Sequence, residues 1–319
     1  MRLQSFTFLL PLALLSAAPS QQAPPATEVY VMALPVEMSE RSKPPTWINI
    51  SNSPGYDNQP SFVPDSSAIL FSSNRDGKQT DIYRYEIATK SIRQLTNTVD
   101  SEYSPTVTPD GKTFSVIRQA AADGTQLLVR YDLATGAHHS VVFENVKPVG
   151  YHAWIDPAHV AMFILGSGQG QPATLQIGDT KTGTAEVAAT GIGRSVLVRP
   201  GAGTVSYITT GANRMVREYD PVKKESRDLF APLEGSQDAA WGVKGGALWM
   251  ANGTQISAHI YVPALDARWQ PLFNLTAATA DPSAPKIAGI TRMSISPNGQ
   301  WLAFVAEPRP AGGTQAVAR

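Results

Sequence analysis

An internal repeat is the feature that most constrains the fold of this chain. Two segments align closely, the first spanning residues 57–97 and the second residues 102–143. Each contains a Pro-Asp turn, at Pro64 and Pro109, and these prolines set a period of 45 residues. Each segment holds four short apolar or alternating runs separated by turn dipeptides, which is typical of a four-stranded antiparallel meander. Four strands in every unit of about 40–50 residues is the spacing of β-propeller blades.

Weaker copies of the unit continue towards the C-terminus. Three of them begin near Trp154, Leu197 and Trp241, and a last one covers residues 294–305. This last copy contains only two strands. A propeller with this sequence therefore needs two further strands from elsewhere in the chain.

The N-terminal region supplies the two missing strands. Residues 28–32 resemble the third strand of the first repeat, and residues 47–52 resemble its fourth strand. Pairing the two ends of the chain in one blade removes the free sheet edges that an open array exposes. We therefore predict an all-β fold over residues 28–307: a six-bladed β-propeller of four-stranded antiparallel blades, its ring closed by the N-terminal strands. Two stacked β-sandwich domains are the alternative, but they predict no split repeat.

The composition excludes several kinds of function. Charged residues make up 16% of the chain, and 26 basic side chains balance 26 acidic ones. Without a basic field or a clustered Lys/Arg stripe, the sequence predicts no nucleic-acid partner. The chain contains no cysteine, which excludes disulfides, thiolate metal sites and a cysteine nucleophile.

The N-terminus has the pattern of a signal peptide. Arg2 precedes an apolar run over residues 6–18, and the small residues Ala18 and Ser20 follow at positions that a signal peptidase reads. We expect a signal peptide over residues 1–20, cleaved near Ser20, and hence an exported protein that is periplasmic or secreted. The run is shorter than the roughly 20 residues of a membrane span, so no transmembrane segment is expected. A buried N-terminal helix is the competing interpretation.

Two polar, turn-rich segments flank the predicted propeller. Residues 21–27 are expected to form a linker, and residues 308–319, with two prolines and two glycines, are expected to be an unstructured tail. Within the repeats, four aspartates recur in turn contexts, where the side chain bonds nearby backbone N–H groups. They are Asp65, Asp76, Asp110 and Asp123.

Several repeat motifs resemble the WD40-like repeats of TolB-type propellers. They are residues 60–65, 71–77, 81–83, 105–111 and 296–299. The resemblance is specific in the first two units and the last, and it is thin between Lys147 and Pro285. It implies a six-bladed propeller and a protein-binding role in a bacterial envelope, since TolB is a periplasmic component of the Tol–Pal system that engages a lipoprotein through its propeller.

Two departures limit what the resemblance implies. TolB carries an α/β domain before its propeller, whereas here only residues 21–27 separate the expected cleavage site from the first strand, so we expect a relative that lacks this domain. A role in the Tol–Pal system is left open. Similar repeats form the gate of prolyl oligopeptidase-like peptidases, but the G-x-S-x-G motif of their nucleophile is absent from the sequence.

One group of titratable residues is a candidate ligand site. His152 aligns with Pro60 and Pro105, which we place at the start of the innermost strand of each blade, where side chains rim the central channel. Asp57 and Glu102 occupy equivalent positions in adjoining blades, one step outside that ring. We therefore predict Asp57, Glu102 and His152 as ligand candidates at the channel mouth. The alternative is that these residues are polar only because the channel mouth is filled with solvent.

The sequence favours a binding or scaffolding module with an envelope or secreted protein partner. No catalytic residue, cofactor site or metal site is assigned. A rival interpretation is an enzyme that acts on a polysaccharide or small molecule at the channel mouth, with a divalent ion held by His152 and the neighbouring carboxylates. A third is a structural propeller that stabilises a larger complex.

Overall fold

Six four-stranded antiparallel sheets make up the described part of the chain. The computed structural model describes residues 25–35, 45–167, 170–261, 268–276 and 286–308. The expected signal peptide, residues 21–24 of the linker and the tail after Pro308 lie outside these ranges. Within them, no helix is long and apolar enough to cross a membrane.

Each sheet is one blade, and five blades are contiguous in sequence. The first two strands, β1 (Glu28–Ala33) and β2 (Trp47–Asn49), belong to the sixth, composite blade. Blade 1 contains β3 (Asp57–Phe62), β4 (Ala68–Ser73), β5 (Asp81–Glu86) and β6 (Ile92–Gln94). Blade 2 contains β7 (Ser101–Val107), β8 (Thr113–Gln119), β9 (Gln126–Asp132) and β10 (His138–Val141). Blade 3 contains β11 (Val149–Trp154), β12 (His159–Ile164), β13 (Thr174–Asp179) and β14 (Thr184–Thr190).

The remaining blades follow the same order. Blade 4 contains β15 (Ile192–Val198), β16 (Val205–Thr209), β17 (Val216–Asp220) and β18 (Glu225–Phe230). Blade 5 contains β19 (Ala239–Trp241), β20 (Ala247–Asn252), β21 (Gln255–Ile260) and β22 (Gln270–Asn274). Blade 6 is completed by β23 (Ile287–Ile295) and β24 (Trp301–Pro308). The first strands of neighbouring blades contact each other around the ring, so β3, β7, β11, β15, β19 and β23 are innermost.

The composite blade confirms the predicted closure of the ring. Its strand order is β2-β1-β24-β23, and β1 pairs antiparallel with β24 through Val29 with Val305 and Tyr30 with Phe304. The N-terminal strands thus complete the blade that the C-terminal strands begin. The prediction of six four-stranded antiparallel blades is also confirmed.

Apolar cores fill the spaces between neighbouring blades. Strand β1 shows how the sequence builds them, because alternate residues of a strand point to opposite faces. Val29 and Val31 are buried against blade 1, whereas Tyr30 and Met32 are buried against blade 5. Four further clusters lie at the other junctions, so burial of apolar surface holds each blade to both neighbours.

The turn aspartates adopt the predicted geometry at several hairpins. Asp65 Oδ1 accepts from the Ser67 backbone N–H at 3.0 Å, and Asp110 Oδ1 accepts from that of Lys112 at 2.9 Å. Gly111, next to Asp110, has φ +69°, a left-handed conformation that glycine adopts without a steric cost. These residues therefore shape the hairpins.

Candidate functional site

A layer of six side chains, one from each blade, lines the centre of the ring; five lie on the innermost strands and Asp238 directly precedes β19. Backbone pairing with the second strand places Ser61, Thr106, Ala153, Leu197, Ala240 and Ser294 at equivalent positions in the six blades. The residues two positions earlier form what we call the channel layer: Gln59, Ser104, Tyr151, Ser195, Asp238 and Arg292. All six line one cavity of about 440 Å³. This volume lies within the range of about 300–1,000 Å³ that is usual for ligand sites.

Irregular backbone positions the side chains of this layer. The pairing register shifts in β3 between Asn58 and Ser61, and in β7 between Tyr103 and Thr106. Bulges of this kind re-aim side chains and are common beside functional sites. Gln59 and Ser104 both have φ +54°, a strained conformation for a residue with a side chain. The Ser104 N–H donates to Gln59 Oε1 at 3.1 Å, which links blades 1 and 2.

A polar network joins the other four blades at the same level. Arg194 of β15 donates from Nε to Asp238 Oδ1 at 3.0 Å and from Nη2 to Asp238 Oδ2. Arg292 donates from Nη1 to Asp238 Oδ1 and from Nη2 to Tyr151 Oη at 2.6 Å. The Arg292 guanidinium also lies 4.7 Å from the centre of the Tyr151 ring, a cation–π contact. We call Tyr151, Arg194, Asp238 and Arg292 the channel network.

The channel network carries an excess of positive charge. Two guanidinium groups face one carboxylate, and the side chains of Arg292 and Asp238 are only 15% and 11% exposed. Burial raises the pKa of the nearby Tyr56 far above its ordinary value, while Arg292 and Arg194 act in the opposite direction. Water is thus partly excluded from this part of the channel, so charges there interact more strongly than on the surface.

His152 lies beside the channel network but is tied to the blade interior. It is the fourth residue of β11 rather than near its first, because Val149 already pairs with β12. Its Nε2 atom forms a 2.6 Å hydrogen bond with Ser115 Oγ, and its buried Nδ1 atom has no hydrogen-bond partner among the described residues. Burial lowers the pKa of His152 to about 3, so the ring is neutral at physiological pH. The side chain lines the cavity edge as a neutral, polar group.

Glu102 lies between blades 1 and 2. Its Oε1 atom accepts from Thr98 Oγ1 at 2.6 Å and from Tyr131 Oη at 3.1 Å, and its Oε2 atom accepts from Thr96 Oγ1 at 3.2 Å. Burial raises the pKa of Glu102 to about 7, and the charge of nearby Asp81 acts in the same direction. This carboxyl group therefore forms hydrogen bonds within the junction between the two blades and does not line the cavity.

Asp57 takes the equivalent place between blade 6 and blade 1. It is buried, and the nearby side chains of Ser73 and Ser51 oppose part of the effect of burial on its pKa. Burial raises the pKa of Asp57 to about 6. Of the three ligand candidates, only His152 lines the cavity. Within the described ranges, no three His, Asp or Glu side chains form a group that can hold a metal ion.

Comparison with known proteins places this architecture among solved structures. The chain superposes on a protein assigned as TolB from Agrobacterium tumefaciens with a TM-score of 0.64 and 13% identity, covering 90% of this chain and 99% of that one. TolB from Acinetobacter baumannii gives a TM-score of 0.52 and 14% identity, covering 92% and 66%. A gluconolactonase from Xanthomonas campestris gives a TM-score of 0.61 and 9% identity, covering 91% of this chain and 99% of that one. No protein-family model and no curated protein sequence matches the chain.

The chain has a TolB-like propeller fold. At these identities the similarity concerns the fold alone, so the chemistry of this TolB-like propeller must be inferred from its own residues.

Sequence reasoning missed the channel network of the TolB-like propeller. Arg194 and Asp238 lie in or beside repeats that match the motif weakly, and Arg292 lies just before residues 294–305, the recognised part of the last repeat, so their blade positions were not assigned. For Arg292, the signal that finds it is its position in the innermost strand counted back from the turn, as Gln59 is counted back from Pro64-Asp65. In blade 6, the Pro297-Asn298 turn places Arg292 level with Gln59.

Proposed function

We propose that this protein is an exported β-propeller that acts as a protein-binding or scaffolding module in a bacterial cell envelope. The observation that carries the proposal is the channel layer: six blades present a fixed set of polar and aromatic side chains around one cavity. Tyr151, Arg194, Asp238 and Arg292 hold one another in place, so a partner would meet a preorganised surface. The TolB-like fold and the signal-peptide pattern support the envelope setting.

Co-purification from envelope extracts tests this function. The tagged protein would be expressed in its native host, reversibly crosslinked and isolated from the periplasmic and membrane fractions. We expect a stoichiometric protein partner in these fractions. Recovery of the full-length protein in the cytosol with its N-terminus uncleaved, or recovery without any partner, would contradict the proposal.

A pair of matched variants shows whether the partner uses the channel. Ala153→Trp would fill the cavity without changing a charge, because Ala153 lines it. Val222→Trp adds the same ring at a position that is 90% exposed. We expect the partner to be lost with Ala153→Trp and retained with Val222→Trp.

An enzyme acting on a small molecule at the channel is the second candidate function. The observation that favours it is the cavity, whose volume suits a small ligand, and the gluconolactonase from Xanthomonas campestris shares the propeller fold. A metal assay on the purified protein addresses the metal-assisted version. Stoichiometric bound metal favours the enzyme, and its absence together with a captured partner favours the binding module.

A further inference from the structure

The channel network is one negative charge short of neutrality. Arg194 and Arg292 share a single carboxylate, that of Asp238, and among the described residues the other titratable side chains that line the cavity are the Tyr151 phenol and the neutral His152. Positive charge held in a partly desolvated cavity favours an anionic ligand. One monovalent anion would neutralise the site.

The network also keeps donors for such a ligand. A guanidinium carries five N–H donors in a planar fork, and the hydrogen bonds described above occupy two from each arginine. Tyr151 accepts a hydrogen bond from Arg292 through its Oη atom, so its own O–H remains able to donate. Two arginines and a phenol that point into one cavity are suited to the two oxygens of a carboxylate.

The rest of the cavity indicates the body of the ligand. Blades 1 and 2 stand opposite blades 4 and 5, which carry Arg194 and Asp238. They contribute the prolines Pro60, Pro64, Pro105 and Pro109 to the cavity lining, and these offer apolar surface and no charge. A phosphate monoester carries about −1.5 to −2 charges at neutral pH and would leave excess negative charge in the cavity. A carboxylate on an apolar or aromatic body matches both the charge and the lining.

We propose that the channel binds a monocarboxylate ligand, with its carboxylate held by Arg194, Arg292 and the Tyr151 hydroxyl and its apolar body against the proline-rich wall. The inference rests on the proposed binding role of the same channel. The carboxylate can belong to a free small acid or to the C-terminus of a peptide chain.

Calorimetric titration of the purified full-length protein at low ionic strength tests the proposal. Phenylacetate is the first probe, and phenylacetamide, which has the same shape without the charge, is its control. Acetyl-Gly-Phe with a free carboxylate, and the same peptide with an amidated C-terminus, form the second pair. We expect at least one carboxylate to bind about tenfold more tightly than its amide, as the loss of charge-assisted hydrogen bonds predicts. Binding of phenylacetate alone identifies a free acid, and binding of the peptide acid identifies a chain terminus.

Three variants connect binding to the network. Arg194→Gln should weaken binding of the carboxylate about tenfold or more. Asp238→Asn removes the negative charge that competes with the ligand, so it should increase the affinity for the carboxylate about threefold or more. Damage to the fold would not produce such a gain. Arg217→Gln, which removes the same charge from an ion pair with Asp228 in blade 4, should leave the affinity unchanged.

The proposal is overturned if neither carboxylate binds, if the amides bind equally well, or if Asp238→Asn weakens binding while the protein stays folded by circular dichroism. These outcomes are separable from failure of the proposed function. A partner captured from the envelope without carboxylate binding would overturn only the present inference, and carboxylate binding without any envelope partner would overturn only the scaffolding role.

Discussion

Arg292 of β23 donates a hydrogen bond to Tyr151 Oη of β11 at 2.6 Å, across the full width of the channel. The two strands belong to blades 6 and 3, which stand opposite each other in the ring of six. Because Arg292 also binds Asp238 of blade 5, one side chain connects three blades through contacts made inside the channel. The contact therefore resists changes in the diameter of the channel.

A double-mutant cycle measures this contact. Tyr151→Phe removes the hydroxyl that accepts from Arg292 and leaves the ring in place, and Arg292→Gln removes the charged donor. We expect a coupling energy of about 1.5–3 kcal/mol from urea unfolding, the size usual for a hydrogen bond to a charged group. Tyr207→Phe is the control partner for Arg292→Gln, because the Tyr207 hydroxyl bonds Ser226 instead. Coupling near zero for Tyr151 would show that the crossing contact does not form in solution.

Two serines at equivalent blade positions offer a matched test of the blade junctions. The Trp154 Nε1–H donates to Ser115 Oγ at 2.9 Å, and the Trp241 Nε1–H donates to Ser206 Oγ at 2.8 Å. Ser115 also bonds His152, whereas the position equivalent to His152 in blade 5 is Ala239.

Replacing each serine by alanine should therefore have unequal effects. Ser115→Ala leaves two buried polar groups without their partner, and Ser206→Ala leaves one. Since each such group costs about 1–3 kcal/mol, we expect Ser115→Ala to lower the free energy of unfolding by about 1–2 kcal/mol more than Ser206→Ala. Denaturant unfolding of both variants gives the difference. Equal losses would mean that the hydrogen bond of His152 contributes nothing.

The sequence was informative about the fold because each blade repeats local signals. Pro64-Asp65 and Pro109-Asp110 mark the same hairpin in two blades, and with the repeat so defined, residues 28–32 and 47–52 could be recognised as the two strands that the last copy lacks. The weak middle repeats still form blades, since the largely apolar runs of their second strands, such as β12 and β16, bury both faces of the strand between neighbours.

The site was less predictable, for two physical reasons. Glu102 and Asp57 were correctly assigned to equivalent positions, but sequence alignment does not show whether a side chain on an innermost strand points into the channel or into a blade junction. Bulges in the innermost strands then change this direction within one or two residues. The arginines of the network were missed because Arg194 lies in a weakly matching repeat, on a strand with such a register shift, and Arg292 lies just before the segment recognised as the last repeat.

Strand β1 provides a test of ring closure. Met32 is 1% exposed and lies in the core between blades 5 and 6. Met32→Lys should lower the free energy of unfolding by about 3 kcal/mol or more, because it places a charge in that core and removes an apolar side chain from it. Ile48→Lys on neighbouring β2, where the side chain is 44% exposed, should change it by about 0.5 kcal/mol or less. Urea unfolding compares the two, and equal effects would contradict the role of β1 as the closing strand.

The buried carboxyl group of Glu102 predicts an unusual dependence of stability on pH. Burial raises its pKa from 4.5 to about 7, so the native state binds a proton more tightly than the unfolded state does. The stability that this proton contributes is fully present below pH 4.5 and is lost as the pH rises to about 7. Glu102→Gln removes this titration, and between pH 4.5 and 7 the variant should gain stability relative to the wild type, by of order 3 kcal/mol in total.

Asp57→Asn is the matched control for that experiment, since burial raises the pKa of Asp57 only to about 6. The free energy of unfolding of Asp57→Asn, relative to the wild type, should stop rising near pH 6. That of Glu102→Gln should continue to rise between pH 6 and 7. Urea unfolding at half-unit intervals from pH 4.5 to 8 separates the two curves. If both gains end at the same pH, the higher pKa of Glu102 is wrong.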